Sequence, residues 1–183
     1  MHEFTFFKVA RFFLDNPYQE VYLRELAKKL KISPFAVKGY ADLLVREGLI
    51  LEERKANLRL FKGNIGNPVF RHLKISLNVD ALLKSGLIDF LKENIPNISS
   101  IVLFGSLAKG ENDSKSDVDI LVIGKESRKS SGKFGERLNR EINIHFFSWS
   151  EWNQKAKQDS PFYFEVIAHG IPLFGELPVV KWK

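Results

Sequence analysis

The chain has 183 residues, enough for one full domain or two small ones, and its 44% hydrophobic content with 16 Phe is ample for packed cores. The absence of Cys excludes a disulfide framework and a thiolate zinc site. No apolar run reaches the ~20 residues of a membrane span, and the opening residues lack the basic-then-apolar plan of a signal peptide, so a cytoplasmic protein with no membrane partner is expected. The net charge of +6 is uneven: residues 1–75 hold 14 Lys/Arg against 8 Asp/Glu, and residues 76–183 hold 14 of each. A basic excess confined to the first part suits a polyanionic partner, although solubilising lysines would give the same sum.

Phe4, Phe6, Phe7, Val9, Ala10, Phe12, Phe13 and Leu14 predict a helix that ends near Asp15-Asn16-Pro17, because proline disfavours a helical residue before it. Val21-Tyr22-Leu23 is short and β-prone, and Leu23, Leu26, Ala27 and Leu30 then recur at helical spacing. In the turn Lys31-Ile32-Ser33-Pro34, Ser33 suits an N-cap and Pro34 the first helical position. Val37, Tyr40, Ala41, Leu44 and Val45 form an apolar face up to Gly48, a helix stop. Leu51–Arg54 and Leu58–Phe61 read as strands around a hairpin tip at Lys55-Ala56-Asn57.

This order resembles a winged helix-turn-helix over about residues 3–65, with Ala27, Ile32, Val37 and Leu44 as core positions. The resemblance implies double-stranded DNA as partner. The helix from Pro34 to Glu47 would enter the major groove with Ser33, Phe35, Lys38 and Gly39 foremost. Lys28, Lys29 and Lys31 would meet phosphates, and Arg54, Lys55 and Arg59 of the wing would reach backbone or minor groove. Phe35 is open between a groove-facing and a core side chain, with the core preferred. A plain helical bundle with a hairpin is the alternative for the whole segment.

Phe70, Leu73, Leu77, Val79, Leu82 and Leu83 predict a helix that leaves this region and breaks near Asn78. Gly86 interrupts, and Leu87–Lys92 continues as a helix to Pro96. No Gly/Ser linker intervenes, so domains docked through helices are expected. Helix amphipathicity permits a homodimer without demanding one. The expected organisation is residues 1–65, a connecting helix over 66–86, and a second domain over 87–183.

The segment from Ile101 to Ile123 carries the chemistry. An apolar run, Ile101 to Phe104, reads as a buried strand that stops at Gly105-Ser106, where a helix can start. A polar loop leads to a second apolar run opened by Asp117-Val118-Asp119. Residues i and i+2 of a strand share a face, so the two carboxylates point the same way. Paired carboxylates repel unless a cation lies between them, and the hard cation that suits such a pair is Mg²⁺, which shares its shell with substrate phosphates. Gly105 lets backbone approach a phosphate, and N–H groups at the start of the next helix favour an anion.

Gly105-Ser106-x-Ala108-Lys109-Gly110 followed by Ser116-Asp117-x-Asp119 resembles the signature of the DNA polymerase beta-like nucleotidyltransferases, specifically the minimal branch. That branch often carries Arg where this chain has Lys109. The resemblance covers roughly residues 85–176 and implies a mixed α/β (α+β) fold with a small mixed sheet. It implies NTP as substrate and Mg²⁺ as cofactor, with Asp117 and Asp119 as metal ligands and catalytic carboxylates. Gly105, Ser106, Lys109 and Ser116 would bind the nucleotide. The family places a third carboxylate on the next strand. Ile142, Ile144 and Phe146 alternate with Asn143, His145 and Phe147, and Glu141, Asn143 and His145 share one face. Asn143 occupies the family's setting best but has no charge; Glu141, one step earlier on that face, is favoured as the third catalytic and metal-binding carboxylate. After Ile123 comes a polar stretch with Lys125, Arg128, Lys129 and Lys133. Helices are expected over about 135–140, from Ser148 onward with Ser150 as one candidate cap, and over about 161–169.

Three function classes follow. One is a Mg²⁺-dependent enzyme that transfers NMP from an NTP to an acceptor hydroxyl and localises to DNA. Another is a transcriptional regulator whose degenerate transferase fold senses nucleotide without turnover. A third is an antitoxin-like interaction protein that modifies or masks a toxin-like or other protein partner. The first two differ mainly in whether position 141 supplies a working carboxylate.

Overall fold

The structure, a computed structural model, describes residues 2–125, 132–158 and 160–181. Arg128 and Lys129 of the polar stretch lie outside these residues. The chain divides into two compact units, Met1–Lys74 and Ile75–Lys183, with helix α4 (Pro68–Ser85) crossing the boundary.

The first unit contains α1 (His2–Asp15), β1 (Val21–Tyr22), α2 (Leu23–Leu30), α3 (Pro34–Arg46), β2 (Ile50–Lys55) and β3 (Leu58–Gly63). β3 lies between β1 and β2 in an antiparallel sheet. The helix starts and stops follow local chemistry. Ser33 Oγ accepts from the Ala36 N–H at 3.2 Å at the head of α3, and Pro34 takes the first helical position. Lys31 ends α2 in the left-handed region at φ 54°, which turns the chain between α2 and α3. Val9, Phe13, Val21, Leu26, Ala27, Val37, Ala41, Leu44, Ile50, Phe61 and Phe70 form the core, with Ile32 packed against it.

Phe35 does not join that core; it is 88% exposed. The core stripe of α3 runs Val37, Ala41, Leu44. Two residues before Val37 is about 200° around the helix, so the preference for a buried Phe35 gives way to helix geometry.

The second unit holds the rest of α4, then α5 (Leu87–Asn94), β4 (Ser100–Phe104), α6 (Gly105–Lys109), β5 (Val118–Ile123), α7 (Gly132–Leu138), β6 (Ile142–Phe147), α8 (Trp149–Lys157), α9 (Pro161–His169) and β7 (Ile171–Gly175). The strand order is β6-β5-β4-β7; β5 and β6 run parallel and the other pairs antiparallel. This is the mixed α/β architecture with a small mixed sheet that the sequence implies. Every residue of β4 is buried, as the unbroken apolar run requires. Alternation sends Ile101, Leu103, Val118, Ile120 and Val122 into one core with α5 residues Leu87, Ile88 and Leu91. Val102, Phe104, Leu121 and Ile123 enter a second core with Trp152, Tyr163 and Val166 of α8 and α9.

Local details differ from the sequence reading. α4 runs unbroken through Asn78, whose side chain reaches out to other backbone instead of competing with its own helix. α7 begins at Gly132. Ser148, not Ser150, caps α8, in a capping box with Glu151. The Ser148 N–H holds the Glu151 carboxyl below its ordinary range. No described helix is long and apolar enough to cross a membrane.

Candidate functional site

The end of β4 delivers Phe104 opposite Asp119 of β5, and Asp119 stands opposite Asn143 of β6. The ends of three adjacent strands thus lie side by side. Gly105 follows Phe104 directly and takes φ +72°. A Cβ on Gly105 would lie 2.5 Å from Asp119 Oδ2, so glycine is required here both by the turn and by the carboxylate beside it. α6 then runs only from Gly105 to Lys109 and closes on Gly110 in the left-handed region.

The loop from Gly110 to Asp117 is shaped by its own polar groups. The Glu111 N–H donates to Ser106 O at 3.0 Å. Asp113 accepts from the Lys115 N–H at 2.8 Å and from Ser116 Oγ at 3.1 Å, while Ser116 Oγ accepts from the Asp113 N–H at 3.0 Å. These donors, the Lys115 N–H foremost, hold the Asp113 carboxyl below its ordinary range. Arg140 donates to the Ser116 carbonyl. Asn112 is 2% exposed and its Oδ1 accepts from Asn78 Nδ2 at 2.9 Å. Asn78 Nδ2 also donates to Leu107 O at 2.9 Å, so one α4 amide ties both α6 and the loop. Asn78, Asn112, Asp113 and Arg140 escaped the sequence reading as site residues. No spacing rule marks an asparagine whose partners are 29 and 34 residues away in the chain.

Asp117 is exposed, Asp119 half-buried, and Val118 between them buried, which matches strand alternation. Asn143 Nδ2 donates to Asp119 Oδ1 at 3.2 Å. Glu141 precedes β6; its carbonyl accepts from the Val118 N–H at 2.8 Å and its residue is exposed. Among the described residues no three His, Asp or Glu side chains gather as a metal site. The register puts Asn143 beside Asp119. His145, two residues on, packs its ring against Phe104 and Phe162, at 5.4 Å from each. Lys109 pairs with Glu165 of α9 at 3.0 Å and stands 3.9 Å from Glu111. Ser106 is half-buried at the head of α6, and Ser116 is consumed by the loop.

In the first unit, Lys28, Lys31, Ser33 and Lys38 are exposed. Lys29 pairs with Glu25 at 3.0 Å, Lys55 with Glu20 at 3.3 Å, and Arg54 with Glu52 at 3.6 Å. Arg59 is the most engaged: it donates to both Glu52 oxygens at 2.7 Å and to Asp42 of α3 at 2.5 Å, with its guanidinium over Phe61. Its side chain is 23% exposed. The Arg59 bonds hold the Glu52 carboxyl below its ordinary range and push the guanidinium up. Arg59 therefore joins β3 to α3 and β2, a bracing role that the wing expectation did not include.

Residues 84–160 match the nucleotidyltransferase domain family. The match contains β4, the Gly105-Ser106 turn, the Asp117 and Asp119 pair and all of β6. No curated protein matches the chain. Among solved structures, a toxin–antitoxin complex with AMP-PNP is 22% identical, with 54% of this chain and 74% of that one covered and a TM-score of 0.37. A mutant of the toxin–antitoxin MntA–HpeT is 20% identical over 49% of this chain and 70% of that one, with a TM-score of 0.35. At these scores the likeness decides nothing about this chain's partners.

Proposed function

We propose that the chain is a DNA-binding protein whose nucleotidyltransferase domain holds a metal-bound NTP and does not turn it over. The observation that carries this is the Asn143–Asp119 bond. Transfer by two metal ions uses a carboxylate to help hold the ion that activates the acceptor hydroxyl. Here the strand opposite Asp119 presents a neutral amide that donates to it.

The residues present fit a divalent ion at the nucleotide's phosphates. Asp117 and Asp119 are hard oxygen donors from alternate positions of one strand start, and the missing Cβ of Gly105 leaves a cradle beside Asp119 Oδ2. When bound, Mg²⁺ would neutralise phosphate charge there. Gly105 and Ser106 would lie along the phosphates, and Asn143 would orient Asp119. Lys109 would add positive charge only by sharing it with Glu165. In the first unit, the α1-β1-α2-α3-β2-β3 order, the exposed Lys28, Lys31 and Lys38, and the basic excess of residues 1–75 support a winged helix-turn-helix that binds duplex DNA.

Glu141 favours a second reading, nucleotidyl transfer. Its carbonyl is fixed to the strand that bears both aspartates, and its exposed carboxylate is on the strand face of Asn143 by parity. In that reading an acceptor hydroxyl attacks the α-phosphorus, the bond to the β-bridging oxygen breaks, and pyrophosphate leaves. Calorimetry with Mg²⁺–ATP and Mg²⁺–GTP, followed by label transfer from α-labelled NTPs, separates the two. Binding that Asp119→Ala removes, without label transfer, is the expected result. Label transfer by the wild type establishes the second reading, and absence of any NTP binding removes both.

A further inference from the structure

We infer that Phe35 selects the DNA sequence by seating its ring against thymine 5-methyl groups in the major groove. The inference rests on the DNA-binding reading above. Phe35 is 88% exposed, more than any other large hydrophobic side chain described. This exposure is built into the fold. The Ser33 cap and Pro34 fix the first turn of α3, and the Val37, Ala41, Leu44 stripe turns position 35 away from the core.

The surroundings favour DNA over a protein as the occupant. Lys38 is exposed three residues on along α3, on the adjoining helix face, and Lys31 is exposed in the turn before α3. One turn further along α3, Gly39 has nothing within 4 Å of where a Cβ would be, which leaves a bare strip beside the ring for close approach. Asp42 would come next and would repel phosphate, but Arg59 Nη2 donates to its carboxylate at 2.5 Å. The strip is therefore apolar at its head, and the carboxylate at its tail is held by an arginine. Among the base edges in the major groove the thymine methyl is the apolar group, and Phe is one of the side chains that contact it.

The test uses the full chain and a pool of randomised DNA duplexes. The best-bound duplex is resynthesised with deoxyuridine in place of thymidine, which removes the methyls and nothing else. Wild-type affinity should fall about fourfold for each methyl contacted, the value of one buried methylene-sized group. Phe35→Ala should bind both duplexes alike, with the wild-type salt slope and melting temperature, and Phe35→Leu should recover most of the discrimination. Equal wild-type affinity for the two duplexes overturns the inference, as does a Phe35→Ala protein that still discriminates. A change in self-association on Phe35→Ala, read by sedimentation, assigns the ring to a contact between copies and also overturns it. Salt-dependent binding that ignores the methyls overturns this inference alone, whereas no duplex binding at low salt removes the DNA-binding reading with it.

Discussion

Asn143 faces Asp119 across the parallel β5–β6 pair, and its Nδ2 donates to Asp119 Oδ1 at 3.2 Å. The bond fixes one carboxylate oxygen of the pair that would hold a metal. Replacing this amide with a carboxylate exchanges a donor for a like charge. Asn143→Asp should lower stability without metal by about 1 kcal/mol, a few degrees in melting temperature, and millimolar Mg²⁺ or Mn²⁺ should restore it. The same variant should gain label transfer from NTP. Thermal melting with and without metal checks the first part; melting that ignores metal contradicts a metal-binding Asp119.

Gly105→Ala should be among the most damaging single changes in the second unit. The φ of +72° disfavours any side chain, and the new Cβ would meet Asp119 Oδ2 at 2.5 Å. A loss of about 1–3 kcal/mol is expected, together with loss of Mg²⁺–NTP binding at temperatures where the protein remains folded. Chemical denaturation gives the first quantity and calorimetry the second. Wild-type nucleotide affinity in this variant would show that the turn is not part of the site.

Arg59→Ala should act through stability. It leaves the half-buried Glu52 and the exposed Asp42 without their shared cation and should cost about 1–2 kcal/mol, chiefly through Glu52. The pH dependence gives an independent signature. The folded-state pKa of Glu52 is depressed, chiefly by the Arg59 hydrogen bond. The resulting stabilisation is fully present above the usual glutamate range, about pH 4, and is lost as pH falls through the lowered value. The wild type should therefore lose more stability than Arg59→Ala between about pH 5 and pH 2. Denaturation midpoints of both proteins across that window are the check.

Gly39→Ala should separate folding from DNA binding. Gly39 lies inside α3 with open space around its missing Cβ, so alanine should stabilise by about 0.5–1 kcal/mol. If α3 lies in the groove, the added methyl should reduce affinity for duplex DNA. A variant that melts higher and binds DNA as well as the wild type would place the DNA contact elsewhere.

Much of this architecture was legible because it is governed by local rules. Ser33-Pro34 marks the head of α3, Pro17 the end of α1, and the alternation around Val118 the two aspartates. Residues with distant partners were less legible. Asn78 reads as a helix breaker until Leu107 and Asn112 are brought beside it. Arg59 reads as a wing cation until Asp42 and Glu52 take up its guanidinium. The third corner of the site depends on register: parity alone puts Glu141, Asn143 and His145 on one face, and only the β5–β6 pairing selects Asn143 as the neighbour of Asp119.

Strand β6 closes the sheet on one side, with β5 as its paired neighbour among the described strands. Asn143 therefore lies where the fold has least invested. A side chain there is judged by one adjacent strand and by solvent, whereas Asp119 is enclosed by Phe104 on one flank and Asn143 on the other. Evolution can revise such a position at small structural risk. The same scaffold could pass between a protein that only holds nucleotide and one that spends it through changes at the rim, while the Gly105–Asp119 seat stays untouched.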